Sequence, residues 1–288
     1  MPKYTSIMNL KAITPKSNSS IFSTDHAIVM GILNITKDSF YDGGEYINEK
    51  QIILKCKTML DEGASIIDIG AQSSRPGADQ IPSEAELKKL LPIIKLLKNK
   101  FKDITISIDT FWGHTAKECV KAGADIINDI SAGEMDKDMF QTIAELNVPY
   151  IIMHMQGTPK NMQTNPSYKH VTKEILTYFE NKIDKLRQLG FYKIVIDPGF
   201  GFGKTIEHNY QLLNNLAKFK TLGLPILIGT SRKSMIYNLL DITPQQALNG
   251  TSIINTIALQ NGANILRVHD VKAAIESIKI TTFAKNNC

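Results

Sequence analysis

The sequence predicts a single α/β domain, a (β/α)8 TIM barrel with its active site at the C-terminal ends of the strands. Three observations predict it: short runs that are apolar throughout recur eight times, helix-forming stretches alternate with them, and one helix-to-strand junction is repeated along the chain. The junction reads Asp61-Glu62-Gly63-Ala64-Ser65-Ile66-Ile67, then Lys121-Ala122-Gly123-Ala124-Asp125-Ile126-Ile127, then Gln260-Asn261-Gly262-Ala263-Asn264-Ile265-Leu266, with Leu189-Gly190-Phe191 a looser copy. Glycine suits the left-handed position just past a helix, and the β-branched run beyond it suits a buried strand.

In chain order the apolar runs place strands at 27–32, 65–69, 105–108, 125–127, 150–153, 193–196, 226–228 and 264–268. Helical composition falls at 51–61, 84–98, 115–121, 139–147, 171–189, 206–218, 245–261 and 271–281. Strands without polar alternation are buried on both faces, which implies a parallel sheet covered by helices. Eight such units close into a barrel. A doubly wound open sheet fits the same pattern. The barrel is favoured because the Gly-Ala junctions recur from the second strand to the eighth, no Pro/Ser-rich linker divides the chain, and no dinucleotide-type glycine turn follows the first strand. The barrel is expected over 25–284, after an N-terminal extension at 1–24. Two long Gly-, Pro- and Ser-bearing connections, 34–48 and 71–82, are expected to be mobile loops.

Composition narrows the function classes. The chain has 288 residues, 43% hydrophobic and 21% charged, as in a folded globular protein. Its net charge of +5 comes from lysines scattered over helix surfaces, such as Lys95, Lys98, Lys100 and Lys102, with no basic stripe interleaved with aromatics. Nucleic acid is therefore not an expected partner. Cys56, Cys119 and Cys288 have neither metal-ligand spacing nor an even count, which fits a reducing cytoplasm. The first 24 residues lack a signal peptide's apolar core, and no apolar run reaches the roughly 18 residues of a membrane helix. A cytoplasmic protein without membrane partners is expected.

Polar residues close most of the predicted strands, where a barrel presents its active site. Asp109, Asn128 and Asp129 could each be a helix N-cap, since Asp and Asn are preferred there. Taken together they favour a site. Asp109, Asn128 and Asp197 suit a flat heterocycle bearing amino and lactam groups: a carboxylate accepts from a ring N–H and an exocyclic amine at once, and an amide both donates and accepts. A metal cluster is the competing reading, but no histidines accompany them at ligand spacing. The run Asp197-Pro198-Gly199-Phe200-Gly201-Phe202-Gly203-Lys204-Thr205 resembles a Walker loop, yet Gly199 and Gly203 enclose three residues where the motif needs four. Its glycines are expected to let the backbone and Phe202 approach a substrate. Basic residues gather at other strand ends: Arg75, Arg232 with Lys233, and Arg267 with His269. Arginine forks match phosphate oxygens, and a diphosphate leaving group would explain the gathering.

Five blocks then resemble the dihydropteroate synthase family of pterin-binding enzymes: 34–40 with Asp42-Gly43-Gly44, Ser74-Arg75-Pro76-Gly77, 197–204, Ser231-Arg232-Lys233, and Arg267-Val268-His269-Asp270. The resemblance implies condensation of 6-hydroxymethyl-7,8-dihydropterin diphosphate with p-aminobenzoate, releasing pyrophosphate, in a sulfonamide-targeted enzyme of folate biosynthesis. It implies that Asp109, Asn128, Asp197 and Lys233 hold the pterin, with Asp109, Asp197, Lys233 and Arg267 as the catalytic set. It implies that Arg267, His269 and Asn34 bind the diphosphate, Asn34 also through Mg2+, and that Ser74 and Arg75 complete the aminobenzoate and diphosphate sites. Phe40, Pro76, Phe202 and Ser234 would line the aminobenzoate pocket, and a homodimer packed through helices away from the active face is implied. Three departures stand out: Lys37 for the usual proline, Ser74 for threonine, and Ala71-Gln72 for a common Gly-Glu pair. A methyltetrahydrofolate-dependent methyltransferase shares the acid and amide pattern but needs no diphosphate site, and a non-catalytic pterin-binding paralogue should have lost its anion-binding residues. The basic residues retained here count against both.

Overall fold

Every apolar run is a parallel strand. The computed structural model describes residues 26–35, 41–42, 46–72 and 80–287, so the expected extension at 1–24 lies outside the described residues. The strands are β1 (Ile28–Asn34), β2 (Ile66–Gly70), β3 (Ile106–Asp109), β4 (Ile126–Asp129), β5 (Tyr150–Met153), β6 (Ile194–Asp197), β7 (Leu227–Ile228) and β8 (Ile265–Val268). They lie in the order β6-β5-β4-β3-β2-β1-β8-β7. The first strand pairs with both the second and the last, Gly31 lying opposite Ile67 and Val268. A parallel bridge between Ile196 and Ile226 joins β6 to the root of β7 and closes the ring. That closure excludes the open doubly wound sheet.

The helices are α1 (Glu49–Asp61), α2 (Ser83–Lys100), α3 (Gly113–Lys121), α4 (Met139–Leu146), α5 (Val171–Gln188), α6 (Ile206–Asn214), α7 (Ser234–Tyr237), α8 (Leu248–Gln260) and α9 (Val271–Asn286). The junction glycines Gly63, Gly123 and Gly262 have φ of +106°, +113° and +102°, the backbone their repetition predicts. Two expected helices are shorter. The one at 206–218 stops at Asn214 and continues as a 3-10 turn, with the Asn215 side chain donating to the Gln211 carbonyl in competition with the helical ladder. The one at 245–261 is preceded by a separate 3-10 turn, Pro244–Gln246, closed by a reciprocal Thr243–Gln246 capping box. Within the first long connection, Tyr41–Asp42 and Tyr46–Ile47 form a short antiparallel pair. No helix among the described residues is long and apolar enough to cross a membrane.

The core has two shells. One set of strand residues, including Ile67, Ile127, Ile152, Ile196, Ile228 and Leu266, packs outward against helix residues such as Leu90, Phe179, Leu212 and Ile254. The other set, Met30, Ile66, Ile126, Ile151, Val195, Leu227 and Ile265, forms a separate cluster that fills the lumen. Side chains alternate across a strand, so the residue two positions further along each strand also faces the lumen, one storey higher.

The lumen cluster predicts its own test. Ile126 is fully buried there, so Ile126→Ala should cost about 2–5 kcal/mol in urea unfolding. Ile280 is 68% exposed, and Ile280→Ala should stay within about 0.5 kcal/mol. Equal small losses would show that the lumen cluster does not hold the barrel closed.

Candidate active site

The storey above the apolar cluster is polar. Asp68 lies two residues beyond Ile66, Asn128 beyond Ile126, Asp197 beyond Val195, Arg267 beyond Ile265, and Asn34 two beyond Ile32. Asp109 follows Ser107 by the same step, and Met153 follows Ile151. A single periodicity therefore directs an apolar floor and a polar mouth into one lumen. The N-cap alternative falls: α3 is entered through Trp112 without a side-chain cap, and Asp109 is the last residue of β3. Asp129 points the other way, accepting from Tyr150 Oη at 2.6 Å and from the backbone N–H groups of Ser131 and Gly133, each at 2.7 Å. It shapes the turn after β4 and takes no part in the lumen cluster.

Arg267 is the centre of that cluster. Its Nε donates to Asp68 Oδ2 and its Nη2 to Asp109 Oδ2, each at 2.7 Å. Asn128 Nδ2 donates to the same Asp68 oxygen at 3.2 Å, while buried Asp68 Oδ1 has no partner among the described residues. Burial alone would lower the Arg267 pKa, but Asp68 and Asp109 carry it above the ordinary range. Burial pushes the Asp109 carboxyl up to about 7, against the pull of Arg267. It likewise raises Asp197, which Lys233, the Gly199 N–H, Arg267 and Lys204 draw back down. Lys233 is lowered to about 8 by burial, with Asp197 opposing, and remains mostly charged at neutral pH.

The 197–205 run is a turn folded against its own protein. Asp197 Oδ1 accepts from Gly199 N at 2.8 Å. A Cβ on Gly199, whose φ is +73°, would fall 1.9 Å from the His154 carbonyl oxygen, and one on Gly203 would meet Gln156. Gly199 and Gly203 let the turn press against the segment that follows β5, while Gly201 gives room to the Lys233 side chain. The Walker-like Lys204 is buried, its Nζ bound to the Gly199 and Phe202 carbonyls. Thr205 caps α6. Lys233, beyond β7, donates to the Phe200 carbonyl and stands 4.4 Å over the Phe202 ring. Ser234 follows it as the first residue of α7. Phe202 belongs to an apolar rim with Phe111, Ile130, Met153, Met155 and Met162.

The basic end is divided. Arg232 spends its fork on Asp270, at 2.9 and 2.7 Å, and pins the loop after β7 to the loop after β8 rather than joining the anion-binding set. His269 shares its Nδ1 with Ser231 Oγ at 3.1 Å. Burial, aided by Arg267, lowers its pKa to about 4, so at neutral pH it contributes hydrogen bonds and not charge. Asn34 lies at the rim near Asp109: a Cβ on Gly70, between them, would sit 3.5 Å from Asn34 Oδ1 and 3.4 Å from Asp109 Cβ. Phe40, Ser74, Arg75 and Pro76, with Lys37, lie outside the described residues. Gln72, the glutamine of the unusual Ala71-Gln72 pair, accepts from Ile81 N at 3.2 Å and donates to Ile81 O at 3.4 Å. An ionised glutamate could only accept.

Asp68 and Met153 escaped a search for polar residues at strand ends, and His154, directly after the fifth apolar run, was passed over. Asp68 was nevertheless visible as the one acid inside the second apolar run, where full burial demands a partner. Met153, an apolar residue at a strand end, carries no such signal.

The comparisons with known proteins agree with this geometry. The family described as "Pterin binding enzyme" matches residues 30–269. Dihydropteroate synthase of Escherichia coli is 42% identical over 267 residues, 91% of this chain and 94% of that protein. The Yersinia pestis dihydropteroate synthase in a sulfonamide drug complex superposes with a TM-score of 0.87 at 39% identity, covering 93% of this chain and 98% of that one. The Xanthomonas albilineans dihydropteroate synthase with 4-aminobenzoic acid gives 0.84 at 36% identity, covering 91% and 94%. The chain belongs to the pterin-binding enzyme family. Its activity within that family is dihydropteroate synthesis: 6-hydroxymethyl-7,8-dihydropterin diphosphate and p-aminobenzoate give 7,8-dihydropteroate and pyrophosphate in folate biosynthesis.

Asp68 is the test of the cluster's construction. Asp68→Asn keeps the side-chain shape but leaves Arg267 with a single carboxylate, and should lower unfolding free energy by about 3 kcal/mol. A loss below about 1 kcal/mol would mean that the Asp68–Arg267 pair does not hold the cluster.

Proposed function

We propose that the polar storey of the lumen is the pterin subsite of this synthase and that the β8 rim is its diphosphate subsite. The observation that carries the reading is the meeting of Asp109, Asn128, Asp197, Lys233 and Arg267 at one barrel mouth. Asp109 and Asp197 accept from pterin N–H groups, Asn128 donates and accepts, and Lys233 donates to a ring acceptor. Met153, two residues along β5 from lumen-filling Ile151, offers the ring an apolar face. Arg267, His269 and Asn34 bind the diphosphate. Ser74 and Arg75 complete the diphosphate and aminobenzoate sites, and Phe40, Pro76, Phe202 and Ser234 line the aminobenzoate pocket. The Xanthomonas enzyme's complex with 4-aminobenzoic acid supports such a pocket.

Mg2+ fits this donor set only together with substrate. Among the described residues no group of three His, Cys, Asp or Glu side chains could cage a metal, and Asn34 offers one neutral oxygen. Mg2+ commonly takes few protein ligands and completes its shell with phosphate oxygens and water. Asn34 would hold it, and when bound it would neutralise charge on the departing diphosphate.

The chemistry asks for electrostatics rather than a protein nucleophile. The bond from the exocyclic carbon to the diphosphate oxygen breaks, and its electron pair leaves with the diphosphate. The resulting cation is delocalised into the pterin, where the Asp197 carboxylate stabilises it. The amine nitrogen of p-aminobenzoate then bonds to the carbon and gives up a proton. Arg267 stabilises the leaving anion, and the neutral His269 ring lends hydrogen bonds. The two long connections, 34–48 and 71–82, would exclude water that could otherwise capture the cation.

A homodimer accords with exposed Ile253 on α8 and exposed Ile280 and Phe283 on α9, on the barrel's outer wall. Buried, unpaired Cys56 and Cys119 accord with a cytoplasmic setting. The sulfonamide complex of the Yersinia relative supports the same drug class as inhibitors here.

With Mg2+ present, the protein should release pyrophosphate in step with dihydropteroate when both substrates are supplied; pterin binding without condensation would refute the assignment. Asp197→Asn should slow single-turnover product formation by about 100-fold, and an unchanged rate would remove its electrostatic role. Asp109 supplies a pH test. Its carboxyl is neutral below about 7 and cannot then accept twice, so pterin affinity should fall as pH drops from about 8 to about 6. Asp109→Asn should flatten that dependence in titration calorimetry; the same slope in both proteins would assign the titration elsewhere.

A further inference from the structure

Lys204 has no place in the scheme above, yet it is among the most completely satisfied polar groups in the molecule. Its side chain is 3% exposed. Its Nζ lies 2.8 Å from Gly199 O, 3.0 Å from Phe202 O, 3.0 Å from His154 Nδ1 and 3.4 Å from His154 O. Three close acceptors match the three N–H bonds of an ammonium, whereas a neutral amine would set its lone pair against one of them. His154 is held neutral, its pKa lowered to about 2 by burial and by Lys204, and in the tautomer with its proton on Nε2 it accepts at Nδ1. Burial depresses Lys204 itself, and Asp197 opposes that loss.

The acceptors are backbone atoms of the turn that carries the site. Gly199, one anchor, also donates to Asp197 Oδ1. Gly201, in the middle, donates to Asn209 Oδ1 at 2.7 Å and so ties the turn to α6. Phe200, between the anchors, presents its carbonyl to Lys233, and Phe202, the other anchor, places its ring beneath the Lys233 ammonium. Removing the buried ammonium would leave the Phe202 carbonyl without its donor and the Gly199 carbonyl with only the Phe202 N–H, releasing the geometry on which Lys233 and Phe202 both depend.

We propose that Lys204 is a positioning residue for the condensation: caged behind the site, its ammonium locks the 199–203 turn so that Phe202 meets the second substrate in a fixed arrangement. His154 is the side-chain part of the cage. Asp109, Asn128 and Asp197 are placed by strands, so of the pterin set only Lys233 leans on this turn. Losing the lock therefore affects the aminobenzoate step more than capture of the pterin.

This inference rests on the pocket assignment above, and the experiment separates the two. Steady-state kinetics with each substrate varied are measured for Lys204→Met, His154→Leu and His154→Asn, alongside thermal unfolding. Lys204→Met should raise the KM for p-aminobenzoate and lower kcat, each by about 10-fold, with the KM for pterin diphosphate moved by less than about 3-fold. His154→Leu should follow it. His154→Asn, whose amide oxygen can replace Nδ1 as acceptor, should recover most of the loss. A role in folding alone would lower the melting temperature without that split between substrates. The proposal is overturned by a folded Lys204→Met with both KM values and kcat within about 2-fold of the unmodified enzyme, or by equal values for His154→Leu and His154→Asn. If Lys204→Met does not fold, the His154 pair decides alone on the same criterion. An unchanged KM for p-aminobenzoate in Phe202→Ala would instead bring down the pocket assignment.

Discussion

A guanidinium stretched between two carboxylates inside a barrel lumen is the constraint on which the rest of the structure depends. Arg267 belongs to β8, Asp68 to β2 and Asp109 to β3, and β1 lies between the first two in the sheet. Each charge is too costly to bury alone. Their mutual satisfaction requires the last strand to be brought beside the first, so the ion cluster fixes the arc from β8 to β3, and the β6–β7 bridge then closes the ring. The cluster is also preorganised, with Asp109, Asp68 and Arg267 fixed on strands rather than loops, which is where electrostatic stabilisation of a developing charge is most effective.

The fold was legible because burial on both faces leaves a strand no polar alternation, and because the Gly-Ala junction repeats. Boundaries were less so. The strand β4 runs on through Asn128 and Asp129, beyond the apolar Ile126-Ile127, since pairing with β5 continues under polar residues. The early end of α6 depends on one asparagine competing for a carbonyl, a local choice that composition averages away.

The site was legible where chemistry coincided with a strand end: Asp109, Asn128, Asp197 and Arg267 form or flank the lumen cluster. Asp68 was hidden by position, since an acid inside an apolar run is informative only once the run's lumen face is known. Charge was harder to read than identity. Arg232 and His269 look like anion ligands in sequence, but the first is consumed by Asp270 and the second is neutral in its buried setting. Loop residues proposed to handle the second substrate carry no strand periodicity to place them.

The shortest strand has a mechanical consequence. β7 is two residues long, and its link to β6 is the single bridge at Ile196–Ile226, backed by Ile196 N donating to the Pro225 carbonyl at 3.0 Å. With so few cross-strand bonds, this is the seam along which the ring separates most cheaply. Asp197 stands at the end of β6 and Lys233 just past β7, on opposite lips of that seam. A molecule gripped by both would act as a rivet, stiffening the whole barrel from its mouth, and slowed exchange of the Ile196 amide on pterin binding is where that stiffening would register.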